Sequence, residues 1–270
     1  MSTLTRHRLA PAQTRPALRA LCEWTHVDVP GGGLHPGDVG WYLRFDDATV
    51  HLWSEGGVPV AVGFLDGSVL RVTTAPHADR AALAADAEAL LTPGNDGSDG
   101  LAIPGWEPDA NQSWLVMSWS PRPVTSRAVP VDEAAAADRV LVQRAAFAGS
   151  TFTLHRWRTM TRSPAGRLAV EALVRTPTGE PAAAATGWFA GKGRCGLLEP
   201  VGTHPDHRGH GYGRDAVLGV CAALADRGAS AVAVVTPSTN QAAIALYRSA
   251  GFTVVRETRD WVRPRARVDR

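Results

Sequence analysis

The residues best suited by type and spacing to do chemistry lie in one stretch, His204-Pro205-Asp206-His207-Arg208-Gly209-His210-Gly211-Tyr212-Gly213. Three glycines alternate here, just ahead of an apolar helical pattern. Glycine lets a backbone approach a ligand closely, and the first turn of a helix presents N–H groups without intrahelical acceptors, so such a turn suits a phosphate or pyrophosphate. The same pattern also serves as a plain tight connection, and both readings stand at this point. Spacing removes three others. A dinucleotide fingerprint needs G-x-G-x-x-G and an acidic residue at the end of the next strand, whereas here the run is G-x-G-x-G and the next strand ends Val235-Thr236-Pro237. A Walker loop needs a nearby lysine, and the one lysine of the chain is Lys192. His204, His207 and His210 are separated by Pro205 and a glycine, which break helical spacing, and no Cys or Glu completes a set, so no metal is expected.

Such a loop needs a strand before it and a helix after it. Residues 196–203 (GLLEPVGT) read as the strand, and about 212–227 as the helix, stopped at Arg227-Gly228. Residues 230–236 form a continuous apolar strand of the kind buried on both faces. A short helix over 239–249 is stopped by Gly251, and a last strand runs about 252–262. Upstream, 131–147 suits a helix with Asp132 offering a cap, and 167–174 with 182–190 suit a hairpin. Hairpins followed by helix-linked crossovers predict an α/β (α+β) fold, a mixed sheet flanked by helices.

Comparing the chain with itself divides it. A shift of 129 places Val72, Thr74 and Pro76 under Val201, Thr203 and Pro205, each trio followed by an apolar helical pattern. The glycines do not carry over, since Arg80, Ala82 and Ala84 stand opposite Gly209, Gly211 and Gly213. Each copy is preceded by a hairpin signal, SEGGVP (54–59) and TPTGEP (176–181). The expected organisation is two domains of like plan, 1–125 and 126–270, joined near the Pro- and Arg-bearing stretch 120–130.

Composition bounds the function. Of 270 residues 44% are apolar, enough for packed cores and against a disordered chain. A net charge of +2, from 28 basic and 26 acidic groups, gives no overall case for nucleic acid. No run of eighteen apolar residues is present, so no membrane span is expected, and the charged opening MSTLTRHRLAPAQTRP does not read as a secretory signal. Three widely spaced cysteines (Cys22, Cys195, Cys221) suit a reducing cytoplasm.

The loop Arg208-Gly209-His210-Gly211-Tyr212-Gly213 resembles the Arg/Gln-x-x-Gly-x-Gly/Ala segment of the Gcn5-related N-acetyltransferases (GNAT). A second block, Asn240-Gln241-Ala242-Ala243-Ile244-Ala245-Leu246-Tyr247 followed by Gly251-Phe252, resembles that family's N-x-x-A-x-x-L-Y…G-F segment. The blocks stand in the expected order over roughly 126–270. The duplicated plan is similar to tandem members such as mycothiol synthase, with 1–125 as a degenerate copy lacking the glycine loop.

The resemblance implies an acyltransferase that uses acetyl-CoA to acetylate a primary amine of a small molecule, with no nucleic-acid or membrane partner and a monomeric or homodimeric chain. It implies that backbone N–H groups of Arg208, Gly209, His210, Gly211, Tyr212 and Gly213 hold the pyrophosphate. Val201, Gly202 and Thr203 would line the pantetheine arm, and Asn240 would contact the cofactor where two strands splay. Tyr247 would give a proton to the departing thiolate. Its plainer reading is a half-buried helix aromatic. For the base, strand alternation sets Glu199 on the face of Val201 and Thr203, against the plainer reading of a carboxylate paired with an arginine. A CoA-binding module without turnover is the alternative function. Trp24, Trp41 and Trp53 suit either a cleft between the halves or packed core.

Overall fold

The computed structural model describes residues 3–25, 33–92 and 94–264. The first half runs β1 (Leu4–Leu9), α1 (Arg15–Trp24), α2 (Pro36–Tyr42), β2 (Val50–Glu55), β3 (Val58–Asp66), β4 (Val69–Thr74), α3 (Arg80–Glu88), β5 (Gly97–Asp99) and β6 (Glu107–Pro108). There follow β7 (Trp114–Trp119), β8 (Val129–Pro130), α4 (Ala136–Ala146), α5 (Leu154–Arg162), β9 (Ala169–Arg175), β10 (Pro181–Trp188) and β11 (Gly196–Thr203). The chain ends with α6 (Tyr212–Asp226), β12 (Val232–Pro237), α7 (Gln241–Ser249), β13 (Thr253–Thr258) and β14 (Trp261–Val262).

The two sheets have one plan. Their orders are β1-β2-β3-β4-β5-β14-β6 and β8-β9-β10-β11-β12-β7-β13. Position by position, β4 answers to β11, as the shift of 129 requires, and α3 answers to α6. The seventh strand of each copy, however, is exchanged. β7 precedes the linker yet lies antiparallel between β12 and β13 of the second sheet, with Trp119 opposite Val232 and Met117 opposite Val254. In return β14 enters the first sheet between β5 and β6, with Trp261 opposite Ser98 and Pro108. A division near 125 therefore separates β7 from the sheet that it completes.

Two cores result. One joins Met117 and Trp119 of β7 to the inner face of α6 (Val217, Val220, Leu224) over the alanines of β10. Small residues on β10 allow this approach: a Cβ at Gly187 would lie 2.2 Å from Val220. The other crosses the halves, packing Leu21, Val39 and Leu43 against Phe152, Trp157, Trp188 and Leu197. Trp53 is packed core, bonded through Nε1 to Asp86 at 2.7 Å.

Several expectations shift. The helix read over 131–147 starts at Ala136, because Asp132 Oδ1 accepts from Ala135 N (2.9 Å) in a turn ahead of it. The strand read over 252–262 is two strands in two sheets. Helix α5 was not expected: its sequence, LHRWRTMTR, buries only Trp157 and Met160.

Candidate active site

The end of β11, the loop after it and the start of α6 form one cradle. Gly209 and Gly211 take φ of 81° and 79°, a left-handed backbone that favours glycine. A Cβ on Gly209 would meet nothing within 4 Å, so this side of the loop is open. Gly213 has a different reason: a Cβ there would lie 2.6 Å from Thr203 Oγ1, and its absence lets α6 start against the end of β11. Gly211 is the N-cap and supplies no side chain to the first turn. The N–H groups of Tyr212, Gly213 and Arg214 are thus first-turn donors without an intrahelical acceptor, beside the positive end of the helix dipole. Arg208 differs from the other loop residues, since its N–H already goes to Pro205 O at 3.3 Å. Linker residues brace the helix start: Ser126 Oγ donates to Asp215 O at 2.7 Å, and Arg127 pairs with Asp215 and stacks on Tyr212 at 4.8 Å.

β11 is bulged where the site begins. Against β10 its ladder steps from Leu198 to Val201 while β10 steps only from Gly187 to Ala185. The added residue reverses the alternation. Leu197, before the bulge, packs into the core shared with the first half, while Val201, after it, packs on the α6 side. Glu199 therefore does not share a face with Val201 and Thr203, as simple alternation predicts; it faces the first half. Pro200, which cannot donate to a ladder, was the sequence signal for this irregularity. On its other edge β11 pairs with β12 only at Gly196 and Leu197. Beyond these residues the two strands part, and the edge from Glu199 to Thr203 faces an opening.

α7 borders that opening. Asn240 is its N-cap: Oδ1 accepts from Ala243 N at 3.1 Å, on an exposed residue, so its observed work is structural. Tyr247 is 7% exposed and tilts against Phe252 with ring centroids 5.8 Å apart. Burial, together with the nearby Glu199 charge, raises the Tyr247 hydroxyl well above its ordinary pKa, so it stays protonated near neutrality.

Glu199 belongs to a network that the sequence did not reveal. Burial, then the adjacent Asp38 carboxyl, push Glu199 up to about 8, while Arg71 opposes them. Arg71 Nη2 lies 2.9 Å from Asp38 Oδ1, with Asp99 at 3.6 Å and Asp66 at 3.8 Å. Asp260, beside β14, is raised to about 6 by burial and by Asp99. Asp38, Asp66, Asp99 and Arg71 all come from the first half, a hundred residues or more from Glu199. A possible signal was Pro36-Gly37-Asp38-Val39-Gly40, whose glycine pair marks a close helix approach.

Comparison with known proteins agrees with this geometry. Residues 139–252 match the model of the Acetyltransferase (GNAT) family. A tandem GNAT protein from the clavulanic acid biosynthesis pathway, solved without AcCoA, is 16% identical and superimposes with a TM-score of 0.56, covering 96% of this chain and 98% of that one. A GNAT-family acetyltransferase from Colwellia psychrerythraea gives 13% identity, the same TM-score of 0.56, and coverage of 96% and 98%. A GCN5-related N-acetyltransferase from Sphaerobacter thermophilus gives 18%, 0.51, 96% and 94%. No curated protein sequence matches the chain. With two sheets of one plan and the glycine cradle inside the matched segment, residues 139–252 match the GNAT acetyltransferase family model and the chain as a whole has the fold of a tandem GNAT protein.

Proposed function

We propose that the chain is an acetyl-CoA-dependent N-acetyltransferase acting on a primary amine of a small molecule. The observation that carries this reading is the opened edge of β11, lying between a cradle of free helix N–H groups and the pair Glu199 and Tyr247. A diphosphate fits the cradle: Gly209, His210, Gly211, Tyr212 and Gly213 offer backbone donors at a helix N-terminus, with glycine where a side chain would intrude. The edge at Val201, Gly202 and Thr203 suits backbone pairing with an extended pantetheine arm. Bound acetyl-CoA supplies a thioester carbonyl and a thiolate leaving group.

The residues then divide the proton traffic. The acceptor nitrogen forms its bond to the acetyl carbon as the carbon–sulfur bond breaks. The proton lost by nitrogen passes to the Glu199 carboxylate, directly or through water, and Tyr247 donates its hydroxyl proton to the departing sulfur. Burial that keeps Tyr247 protonated suits a general acid, and a base near 8 suits work around neutral pH. The acceptor approaches from the side of the first half, which Glu199 faces. Calorimetry with acetyl-CoA, followed by acetyl transfer to a panel of amines, tests the reading. Binding with transfer supports it. Absence of binding overturns it, and binding without transfer favours a CoA-binding module.

A further inference from the structure

α2 of the first half is built to lie on the active-site strand of the second. A Cβ on Gly37 would sit 2.4 Å from Trp188 Cγ, and one on Gly40 2.4 Å from Trp188 Cζ3, so both glycines are needed for the helix to rest on this indole. Trp188 in turn donates from Nε1 to the Glu199 carbonyl at 2.7 Å. His35, the N-cap of α2, is bonded through Nε2 to Cys195 O (3.0 Å) and through Nδ1 to Gly37 N (2.9 Å). The helix is therefore fixed to β11 and its approach at three points, and Asp38 stands between the two glycines.

Asp38 is held as firmly as its helix. Oδ2 accepts from His35 N at 2.6 Å, Oδ1 takes Arg71 Nη2 at 2.9 Å, and its side chain is 4% exposed. Glu199 lies on the strand that this helix covers, and after burial the Asp38 carboxyl is the strongest influence on it.

We propose that Asp38, clamped by Arg71, is a positioning residue of the second half's site: it orients the Glu199 carboxyl and sets the pH at which that carboxyl gives up its proton. The inference rests on the acetyltransferase reading for its meaning in catalysis. Protonated Glu199 donates to Asp38; on deprotonation two carboxylates face each other, and Arg71 is the countercharge that makes this tolerable. The groups facing Glu199 are Asp38 on α2, Arg44 just after it, Asp66 and Arg71 on the β3–β4 hairpin, and Tyr247 on α7. Asp38 and Arg71 pull its titration in opposite directions.

That opposition supplies the test. Glu199 is titrated in the whole protein by infrared difference spectroscopy of its protonated-carboxyl band, identified by its loss in Glu199→Gln, and the pH dependence of kcat is measured beside it. Asn at 38 still accepts from His35 N, so Asp38→Asn keeps the helix cap. The expected result is a shift of about one pH unit or more to lower pH in Asp38→Asn and to higher pH in Arg71→Gln, in band and rate alike. A shift of that size is about tenfold in rate on the acid limb. Unmoved titrations, or shifts in the same direction, overturn the proposal, because a merely structural role lowers the rate without moving the limb oppositely. Opposite band shifts in a protein that transfers no acetyl group to any amine leave the coupling standing and overturn the acetyltransferase reading instead.

Discussion

The exchanged strands make a quantitative prediction about where the chain can be cut. A chain of residues 126–270 keeps the glycine loop, Glu199 and Tyr247 but loses β7. Trp119 and Met117 are fully buried in the second sheet's core and Val116 is 3% exposed. A tryptophan buries about 150–250 Å², about 4–6 kcal/mol at 25 cal/mol per Å². Met117 and Val116 add about 2 kcal/mol each, for a total of about 8–10 kcal/mol. The ladders to both β12 and β13 go as well, leaving β13 without the strand that joins it to the sheet. Whole domains have about 5–15 kcal/mol to lose, so 126–270 is expected not to fold cooperatively. The informative comparison is residues 110–270, which lack the rest of the first half equally but retain β7. Both chains lose the first-half cover of Trp157 and Trp188, so the comparison isolates β7: thermal melts followed by circular dichroism should show more ordered structure and a higher transition for 110–270 than for 126–270. Cooperative melting of both within a few degrees of each other would refute the assignment of β7 to the second domain's stability.

Three further outcomes are expected. Tyr247→Phe should lower kcat by about a hundred- to ten-thousand-fold while leaving acetyl-CoA affinity unchanged in calorimetry; an unchanged rate across pH removes Tyr247 as the acid. His35 is 1% exposed and burial holds it down to about 4, against an ordinary value of 6.5. The unfolded chain therefore takes up this proton first, so stability is intact above 6.5 and falls by about 3 kcal/mol toward pH 4; urea midpoints should fall less steeply with acid in His35→Asn. Calorimetry should count one acetyl-CoA per chain, and a second equivalent abolished by changes within 72–84 would contradict this.

Local signals carried the second half well. β11 spans the strand expected at 196–203, and α6 and α7 lie within two residues of their expected limits, because each is bounded by glycines or a cap whose backbone effect is local. The sheet plan was legible through the shift of 129, which aligns β4 with β11. What escaped is what depends on distant partners. Nothing local distinguishes a last strand that stays in its own sheet from one that crosses, so β7 and β14 were invisible as an exchanged pair. The facing of Glu199 was lost to a single added residue in the ladder, although Pro200 marked the place. Asp38 was missed entirely, since a lone acid in a short helix acquires meaning only when Trp188 and Glu199 are brought beneath it.

The two copies differ at equivalent helix ends, and the difference explains why one fold can hold two roles. At the start of α6 a glycine caps the helix and leaves its donors free. At the start of α3 Asp79 caps instead, accepting from Ala81 N and Ala82 N at 3.0 and 3.1 Å. A carboxylate already occupies the place that a phosphate would take, and a second anion there would meet both its charge and its spent donors. Arg80, opposite Gly209, is likewise engaged, with Thr74 Oγ1 and Gly100 O each at 2.7 Å. The first copy has thus closed its own cradle by side chains that stabilise its helix. Its α2 lies instead against the strand of its neighbour, with Asp38 buried there and held by Arg71. Degeneracy at one helix end and engagement at another are two aspects of one division of labour, and the reciprocal exchange of β7 and β14 holds the two copies in the register that this division requires.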